Sequence, residues 1–401
     1  MREQAEQRFR PSRRGRKGGR ALVAGAVAVA AGVLAAGTVV PPAAAAPSAA
    51  RHGGTVQQGL DALVRSDGVP AALAGVTDGR GHTRTYTAGV GDLATGAGVP
   101  RDGQVRVGSN TKAFTAVVVL QLVAEGKVDL DGFVGTYLPG LVRGEGIDGD
   151  RITVRQLLQH TSGLPNYVNQ LSDEIRSYEP RELLDLALRQ QADFAPGERW
   201  AYSNTNYLVA GLLVEQVTGR PLAAEIERRV IRRAGLRHTY FPAPGELRIR
   251  ERHPRGYHQG APGAPFVDAT EWDPSWAWAA GQLVSTNSDL NRFYIALLRG
   301  RLLPAPQLAQ MRTTVPAGPP FADGARYGLG LVGTPLSCDG EVYWGHGGSM
   351  TGYETRGGVT EDGRAVNVAV TTQPGEAARQ HLERIVDQAL CSAARPDRGV
   401  G

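Results

Sequence analysis

The sequence predicts an α/β (α+β) fold, in which helices flank an antiparallel sheet and an all-helical region is inserted into the chain. Three observations lead to this prediction: β-prone stretches lie near both ends, helical periodicity dominates the middle, and no internal repeat is present. The sheet and its helices would use about residues 55–108 and 270–393, and the helical region about residues 109–269. A groove between two such parts is a common place for a ligand site.

The first 46 residues have the pattern of an export signal. Arginine-rich residues 2–20 precede the uncharged apolar run Ala21–Val40, and a small-residue sequence, PPAAAAPSAA, follows it. We expect cleavage after Ala46, a secreted chain that starts at residue 47 with no membrane span, and a disordered tail at 394–401. A retained membrane anchor is the alternative, because 20 apolar residues are long enough to cross a bilayer.

Elements can be assigned in chain order from periodicity and turn residues. Residues 55–65 predict an amphipathic helix, residues 71–93 predict a hairpin, and residues 109–126 predict a long apolar helix that ends at Gly126. Further helices are predicted at 153–159, 180–190, 205–218, 221–234 and 287–299. Short strands are predicted at 327–332, 341–345, 352–359 and 364–371, before a last helix at 376–392.

Composition and charge are those of an ordinary globular protein. Of the 401 residues, 41% are hydrophobic and 21% are charged, which excludes wholesale disorder. The formal net charge is +5, but residues 1–46 hold eight Lys and Arg residues against Glu3 and Glu6, so the remainder is nearly neutral. The excess of basic residues thus lies in the predicted export signal, and the rest of the chain has none to form a nucleic-acid-binding face. We therefore expect no nucleic-acid partner. We also expect a monomer.

Cys338 and Cys391 are the two cysteines of the chain. In an exported protein they predict one disulfide that ties the last helix to the sheet, and two buried thiols are the alternative. No cysteine remains for a thiol nucleophile or a zinc cluster, and the histidines show no metal-ligand spacing. We expect neither a metal nor a cofactor.

Ser109-Asn110-Thr111-Lys112 form an S-x-x-K pattern at the start of the long apolar helix. This spacing places Ser109 and Lys112 on one helical face, about 5–6 Å apart at Cβ. A serine nucleophile needs a nearby base, and a lysine with a lowered pKa can be that base. The chain has 41 Arg but three Lys, so Lys112 indicates a need for a cation that can lose its proton. An N-capping serine beside a solvated lysine is the alternative.

Two further segments carry polar groups that can act on a carbonyl compound. Tyr202 and Asn204 precede a helix, where a phenol can relay protons and an amide can bind a carbonyl oxygen. The segment Trp344–Ser349, WGHGGS, follows a β-like run. Its glycines permit close backbone approach to a ligand, and His346 can supply charge or a proton. Ordinary turn and capping chemistry is the alternative for both segments.

In this order the three segments resemble the S-x-x-K, Y-x-N and K/H-T/S-G motifs of the penicillin-recognising serine hydrolases. The chain looks most like the serine-type D-alanyl-D-alanine carboxypeptidases secreted by Streptomyces, and it is similar to the class C β-lactamases. The resemblance covers about residues 55–393 and includes ITVRQLLQHTSGL, YSNTNYLVAGLLVE and YGLGL. It implies a β-lactamase/transpeptidase-like fold and cofactor-free acyl transfer.

The resemblance also implies a role for each motif residue. Ser109 would attack an amide or lactam carbonyl, and the backbone N–H groups of Ser109 and Ser349 would form the oxyanion hole. Lys112 and Tyr202 would share the proton transfers, with either as the general base. The residues implied to bind the substrate are Asn204, His346, Gly348, Ser349 and Trp276, and simple packing is the alternative for the last of these.

Position 347 departs from the family pattern, because Gly347 stands where relatives carry Thr or Ser. A hydroxyl that would touch a substrate carboxylate is therefore missing, and residues 332–337 contain no cation that could replace it. His346 and Arg356 remain as candidates to meet that charge. A protonated His346 predicts an alkaline fall in kcat/KM near its ordinary pKa of about 6.5, whereas a neutral His346 predicts none.

The function predicted from the sequence is that of a secreted serine hydrolase that cleaves D-Ala-D-Ala-type peptide bonds through a Ser109 acyl-enzyme. Its partners would be peptidoglycan stem peptides or related D-amino-acid compounds, and β-lactam antibiotics would acylate it. A β-lactamase, D-aminopeptidase or esterase on the same scaffold is one alternative. A non-catalytic penicillin-binding sensor or adaptor is another. Because Gly347 lacks the hydroxyl of the family motif, the sequence predicts weak selection for substrates that end in a free carboxylate.

Overall fold

The computed structural model describes residues 48–171, 176–261, 263–338 and 340–392, with side chains from residue 55 onward. The predicted export signal and the predicted C-terminal tail lie outside the described residues. Within the described ranges, no helix has the length and apolar character needed to cross a membrane.

Most of the helices lie in the middle of the described chain, between its longer strands. In chain order the helices are α1 (Ser48–Arg65), α2 (Thr111–Ala124), α3 (Val134–Tyr137), α4 (Val154–Gln159), α5 (Pro180–Leu188), α6 (Asn204–Thr218), α7 (Leu222–Ile226), α8 (Arg232–Ala234), α9 (Trp278–Gly281), α10 (Asn287–Leu298), α11 (Ala305–Met311) and α12 (Glu376–Ser392). Short 3-10 turns occupy Gly108–Asn110 and Tyr167–Gln170, and a π-helical turn, Glu227–Ile231, joins α7 to α8.

The strands are mostly short, and most of them belong to one antiparallel sheet. They are β1 (Ala71–Thr77), β2 (Thr83–Asp92), β3 (Ala97–Gly98), β4 (Val105–Arg106), β5 (Arg143–Gly144), β6 (Ile147–Asp148), β7 (Tyr257–His258), β8 (Val267–Asp268), β9 (Val284–Ser285), β10 (Val315–Pro316), β11 (Arg326–Tyr327), β12 (Val332–Pro335), β13 (Val342–Gly345), β14 (Gly348–Met350), β15 (Tyr353–Val359) and β16 (Ala365–Val370). The sheet order is β10-β11-β12-β13-β15-β16-β1-β2-β3, and β14 pairs with β15 off this path.

The centre of the sheet joins the two ends of the described chain. β1 lies between β2 and β16, with Ala72 opposite both Ala88 and Val370. Every residue of β16, AVNVAV, is buried. Such a continuous apolar strand is expected where a sheet is covered on both faces.

Two apolar clusters cover the two faces of the sheet. On one face, α1 and α12 pack on β1 and β16 through residues such as Leu60 and Leu382. On the other face, α10 packs on the same strands and continues into the helical region. There α2 is buried from Thr111 to Leu122, and most of its buried side chains are apolar, with Lys112 among the polar exceptions. The 3-10 turn Gly108–Asn110, directly before α2, contacts β14 and β15 of the sheet.

This architecture confirms the predicted fold class, and most predicted elements are present. The strand predicted at 327–332 is wrong, because Gly328–Leu331 form a turn between β11 and β12. Gly330 has a φ of +76°, and a Cβ atom there would lie 2.7 Å from Cβ of Ala116 in α2. The alternating Gly and Leu residues therefore serve a close contact between the turn and α2, not a strand.

The predicted disulfide between Cys338 and Cys391 is present, with a Cα–Cα distance of 5.8 Å. It links the loop after β12 to the last turns of α12. The alternative of two buried thiols is therefore wrong. The bridge closes a loop across a sequence separation of 53 residues.

Candidate active site

The three motif segments meet where β14, which pairs with β15, faces the start of α2 and the loop before α6. They surround a cavity of about 680 Å³. The sequence-predicted residues that line it are Ser109, Tyr202, Asn204, Trp276, His346, Gly348 and Ser349, and Arg356 lines it as well. Lys112 lies beneath the cavity wall and is fully buried. No group of His, Cys, Asp or Glu in the described residues could hold a metal ion.

Two glycines bring the backbone of β14 against the start of α2. A Cβ atom at Gly108 would lie 2.6 Å from the backbone nitrogen of Ser349. A Cβ atom at Gly348 would lie 1.9 Å from the carbonyl oxygen of Val107. Since neither position has room for a side chain, the two backbones touch. This contact places residues 109 and 349 on adjacent chain segments, the arrangement that a two-amide oxyanion hole requires.

Lys112 is held by three oxygen atoms within hydrogen-bond distance. Its Nζ lies 3.0 Å from Oγ of Ser109, 2.7 Å from Oδ1 of Asn204 and 2.9 Å from the carbonyl oxygen of Ala280. None of these three partners is a carboxylate, and burial lowers the pKa of Lys112 well below the ordinary lysine value. Burial therefore shifts Lys112 toward the neutral amine, the form that a general base needs.

The neutral amine has a defined orientation in this site. Oδ1 of Asn204 and the carbonyl of Ala280 only accept hydrogen bonds, so they take the two N–H groups of the amine. The lone pair then points to the hydroxyl of Ser109. Lys112 is thus arranged to remove the proton from that hydroxyl.

Tyr202 approaches the same serine from the loop before α6. Its hydroxyl donates a hydrogen bond to Oγ of Ser109 over 2.9 Å. Burial raises the pKa of Tyr202, and the hydrogen bond to Ser109 and the charge of Arg356 offset only part of that rise. The phenol is therefore protonated in the resting state, ready to donate a proton.

Asn204 positions Lys112, a role that the motif alone does not indicate. Besides accepting from Lys112, its backbone N–H donates to Oδ1 of Asn166 over 3.2 Å, and its Nδ2 lies 3.4 Å from the same oxygen. Asn166 was not predicted as a site residue. It belongs to the segment after the HTSGL sequence, and nothing in its local pattern indicates this contact.

His346 is buried and both of its ring nitrogens have protein partners. Nδ1 donates to the carbonyl of Gly347 over 2.5 Å, and Nε2 lies 3.0 Å from the hydroxyl of Tyr327. That hydroxyl also lies 3.2 Å from Nε2 of His160. The Nδ1 atom of His160 accepts from the backbone N–H of Ser203, so its proton is on Nε2. The hydrogen bonds therefore run in one direction, from His160 through Tyr327 to His346.

This network contradicts the hypothesis that a charged His346 attracts a substrate carboxylate. Burial, the largest cause, and the positive charges of Lys112 and Arg356 lower the pKa of His346 to about 3, and the hydrogen bond to Gly347 offsets part of this fall. The imidazole is thus neutral near pH 7. Of the two alternatives for this residue, the structure favours the one without an alkaline fall in kcat/KM near pH 6.5.

Aromatic side chains enclose the cavity on two sides. Trp276 packs against the helical core and also lines the cavity, and its carbonyl accepts from the hydroxyl of Tyr167 over 2.6 Å. On the opposite side, the ring of Phe321 lies 5.7 Å from that of Tyr202 and 5.5 Å from that of His346. Phe321 comes from the β10–β11 loop, where the sequence showed no functional signal.

Arg356 on β15 lies beside Gly347, with its side chain 14% exposed. The guanidinium contacts Glu354 over 2.7 Å and Glu383 over 3.4 Å. Arg356 therefore reaches the cavity as the sequence suggested, but with its charge already compensated. Glu354 and Glu383 were not recognised from the sequence, and Glu383 lies 27 residues beyond Arg356, on α12.

Comparisons with known proteins agree with this geometry. Residues 55–390 match the family described as Beta-lactamase. A D-stereospecific amidohydrolase from Streptomyces sp. superposes with a TM-score of 0.75 at 40% identity, covering 83% of this chain and 98% of that chain. A D-amino acid amidase from Ochrobactrum anthropi SV3 gives a TM-score of 0.76 at 28% identity, covering 85% and 98%.

A curated relative matches a shorter stretch of the chain. A putative D-alanyl-D-alanine carboxypeptidase from Salmonella schwarzengrund is 32% identical over 141 residues. That match spans 33% of this chain and 33% of the relative.

Proposed function

The chain belongs to the Beta-lactamase family of serine hydrolases, and we propose that it cleaves amide bonds of D-amino-acid amides and short peptides through an acyl-enzyme on Ser109. The observation that carries the proposal is the position of Oγ of Ser109, 3.0 Å from Nζ of Lys112 and 2.9 Å from the hydroxyl of Tyr202. The D configuration is supported by the two amide-cleaving relatives, which match almost their whole length.

Acylation in this proposal follows from the three side chains. Lys112 takes the hydroxyl proton as Oγ of Ser109 bonds to the substrate carbonyl carbon. The backbone N–H groups of Ser109 and Ser349 bind the oxyanion, an interaction typically worth several kcal/mol of barrier. Tyr202 donates its proton to the leaving nitrogen as the C–N bond breaks, and the ammonium of Lys112 returns a proton to Tyr202. Lys112 then takes a proton from a water molecule as that water attacks the ester carbon, and the proton passes to Oγ of Ser109 as the C–Oγ bond breaks.

The D-Ala-D-Ala carboxypeptidase predicted from the sequence is a second candidate. It is supported by the curated relative, although over only a third of the chain. A carboxypeptidase must bind a free carboxylate, and of the two predicted cations His346 is neutral and Arg356 is already paired. We therefore place amides ahead of free acids. Export, acylation by β-lactams and a monomeric state remain parts of the proposal.

The test is the steady-state kcat/KM for D-alanine amide, L-alanine amide and a D-Ala-D-Ala peptide, with Ser109→Ala as the inactive control. We expect hydrolysis of the D-amide, at least about tenfold above the L-amide, since one misplaced contact costs about 1.4 kcal/mol or more. A preference for the L-amide would refute the stereochemistry. A protein that binds penicillin covalently yet hydrolyses none of the three would be the sensor or adaptor instead.

A further inference from the structure

Arg356 occupies the space that a side chain at position 347 would need. Gly347 directly precedes β14, next to the pair formed by Gly348 and Thr355, so Arg356 is its neighbour across the strands. A Cβ atom at Gly347 would lie 2.9 Å from Nη1 of Arg356 and 3.2 Å from its Cδ and Cζ. The side chain of Arg356 therefore fits in this place because position 347 carries no side chain. The guanidinium lies where the hydroxyl of Thr or Ser would be.

The charge of this guanidinium is compensated from two elements. Nη2 lies 2.7 Å from Oε1 of Glu354, which is 1% exposed, and Nε lies 3.4 Å from Oε1 of Glu383 on α12. Nη1 donates to the carbonyl of Thr355 over 2.8 Å. Arg379 also approaches Glu354, at 3.4 Å, so the local charges sum to about zero. An incoming anion meets donors on Arg356 but little net positive potential.

Glu354 adds a feature that discriminates against anions. Its Oε2 atom is buried and has no hydrogen-bond partner among the described residues. Glu354 and Glu383 both line the cavity with Arg356. A carboxylate placed against Arg356 would be repelled by these two side chains, whereas a carboxamide offers its oxygen to Arg356 and an N–H to an acceptor.

We propose that Glu354 and Glu383, by compensating Arg356 beside Gly347, make this side of the cavity select uncharged leaving groups over leaving groups that end in a carboxylate. The inference rests on the proposed acyl transfer to Ser109 and adds the class of leaving group. It assigns specificity to residues outside the three motifs, on β15 and α12.

The test compares two esters that differ at one group: N-acyl-D-alanyl-D-lactate, with a free carboxylate, and N-acyl-D-alanyl-D-lactamide. The wild-type enzyme should hydrolyse the lactamide at least as efficiently as the lactate. Glu383→Gln removes the more exposed compensating charge, so the ratio of kcat/KM for lactate over lactamide should rise about fivefold, the upper range for a partly exposed pair. Esters are used because they report on leaving-group choice even if amides are not cleaved.

Two controls separate this effect from general electrostatics. Glu182→Gln removes the same charge from α5, where Glu182 pairs with Arg176 and lies outside the cavity lining, so the ratio should stay unchanged. In the double variant Glu383→Gln/Arg356→Gln, the rise should disappear.

A wild-type preference for the lactate, an unchanged ratio in Glu383→Gln, or an equal rise in Glu182→Gln would overturn the inference. An enzyme that cleaves both esters but no D-amino-acid amide would contradict the proposed function, while the ratio would still decide the inference.

Discussion

The hydroxyl of Tyr327 lies 3.0 Å from Nε2 of His346, and it donates its proton to that nitrogen. The hydrogen bond runs from Tyr327 to His346 because Nε2 of His160 donates its own proton to the hydroxyl oxygen of Tyr327. A protonated His346 would turn its own N–H toward Tyr327, so the hydroxyl oxygen of Tyr327 would then face two donors. The position that carries a cation in relatives is therefore occupied in this chain by a neutral ring.

Burial of His346 predicts a loss of stability in acid. The native pKa is about 3 and the ordinary value is about 6.5, so between these pH values only the unfolded chain binds the proton. The free energy of unfolding should therefore decrease as the pH falls from about 6.5 toward 3, with about 1.4 kcal/mol per pH unit from this residue. Urea denaturation of wild type and His346→Gln across this range measures the difference, and His258→Gln, at an exposed position, is the control. Identical slopes in wild type and His346→Gln would contradict the prediction.

Replacing Lys112 by arginine should abolish most activity although it preserves the charge. A guanidinium cannot give up its proton, and a general base typically contributes 10²–10⁴-fold, so we expect kcat to fall by about that factor. Lys127→Arg is the matched control, because Lys127 is an exposed lysine that pairs with Glu125. If Lys112→Arg kept more than about a tenth of wild-type kcat, the lysine would act through its charge alone.

Ser109 should be the residue that a penicillin acylates. Its Oγ is the atom that both Lys112 and Tyr202 reach. Intact-protein mass spectrometry after incubation with penicillin should show one adduct, located in the peptide that contains Ser109. The adduct should be absent in Ser109→Ala and present in Ser349→Ala, whose backbone N–H is unchanged. An adduct that persists in Ser109→Ala would assign the nucleophile elsewhere.

Removing the disulfide should destabilise the fold without removing the catalytic groups. The bridge closes a loop across 53 residues, and a closure of this kind is worth about 2–4 kcal/mol. The double variant Cys338→Ser/Cys391→Ser should therefore unfold at a lower urea concentration, while it still forms the penicillin adduct. Equal midpoints for the double variant and the oxidised wild type would show that the bridge does not stabilise the native state.

The mature protein should begin near residue 47 if the predicted export signal is cleaved. Small residues precede this point, and the apolar run before it is rich in alanine and glycine. N-terminal sequencing of the protein recovered from the culture medium measures this directly. Recovery of the full-length chain from the membrane fraction would favour the retained anchor.

The groups that act on Ser109 were predictable for two different reasons. The S-x-x-K spacing puts Ser109 and Lys112 on one helical turn, whereas the role of Tyr202, 93 residues from Ser109, was implied by the resemblance to the family motifs. The charge state of His346 was not predictable, because it depends on Tyr327 and His160 from two distant segments. The compensation of the positive charge of Arg356 was not predictable for the same reason, since it depends on side chains from β15 and α12.

Reactivity and selectivity are encoded in separate stretches of this chain. The nucleophile and its proton carriers belong to the 3-10 turn before α2, to α2 itself and to the loop before α6. In our proposal, the side chains that contact the leaving group belong to β15 and α12. A mutational library confined to the cavity-facing turns of α12 would thus vary the accepted fragment while leaving Lys112 in its buried position. Such a helix is a natural target for tailoring the protein as a biocatalyst, since the chemistry is preserved from one variant to the next.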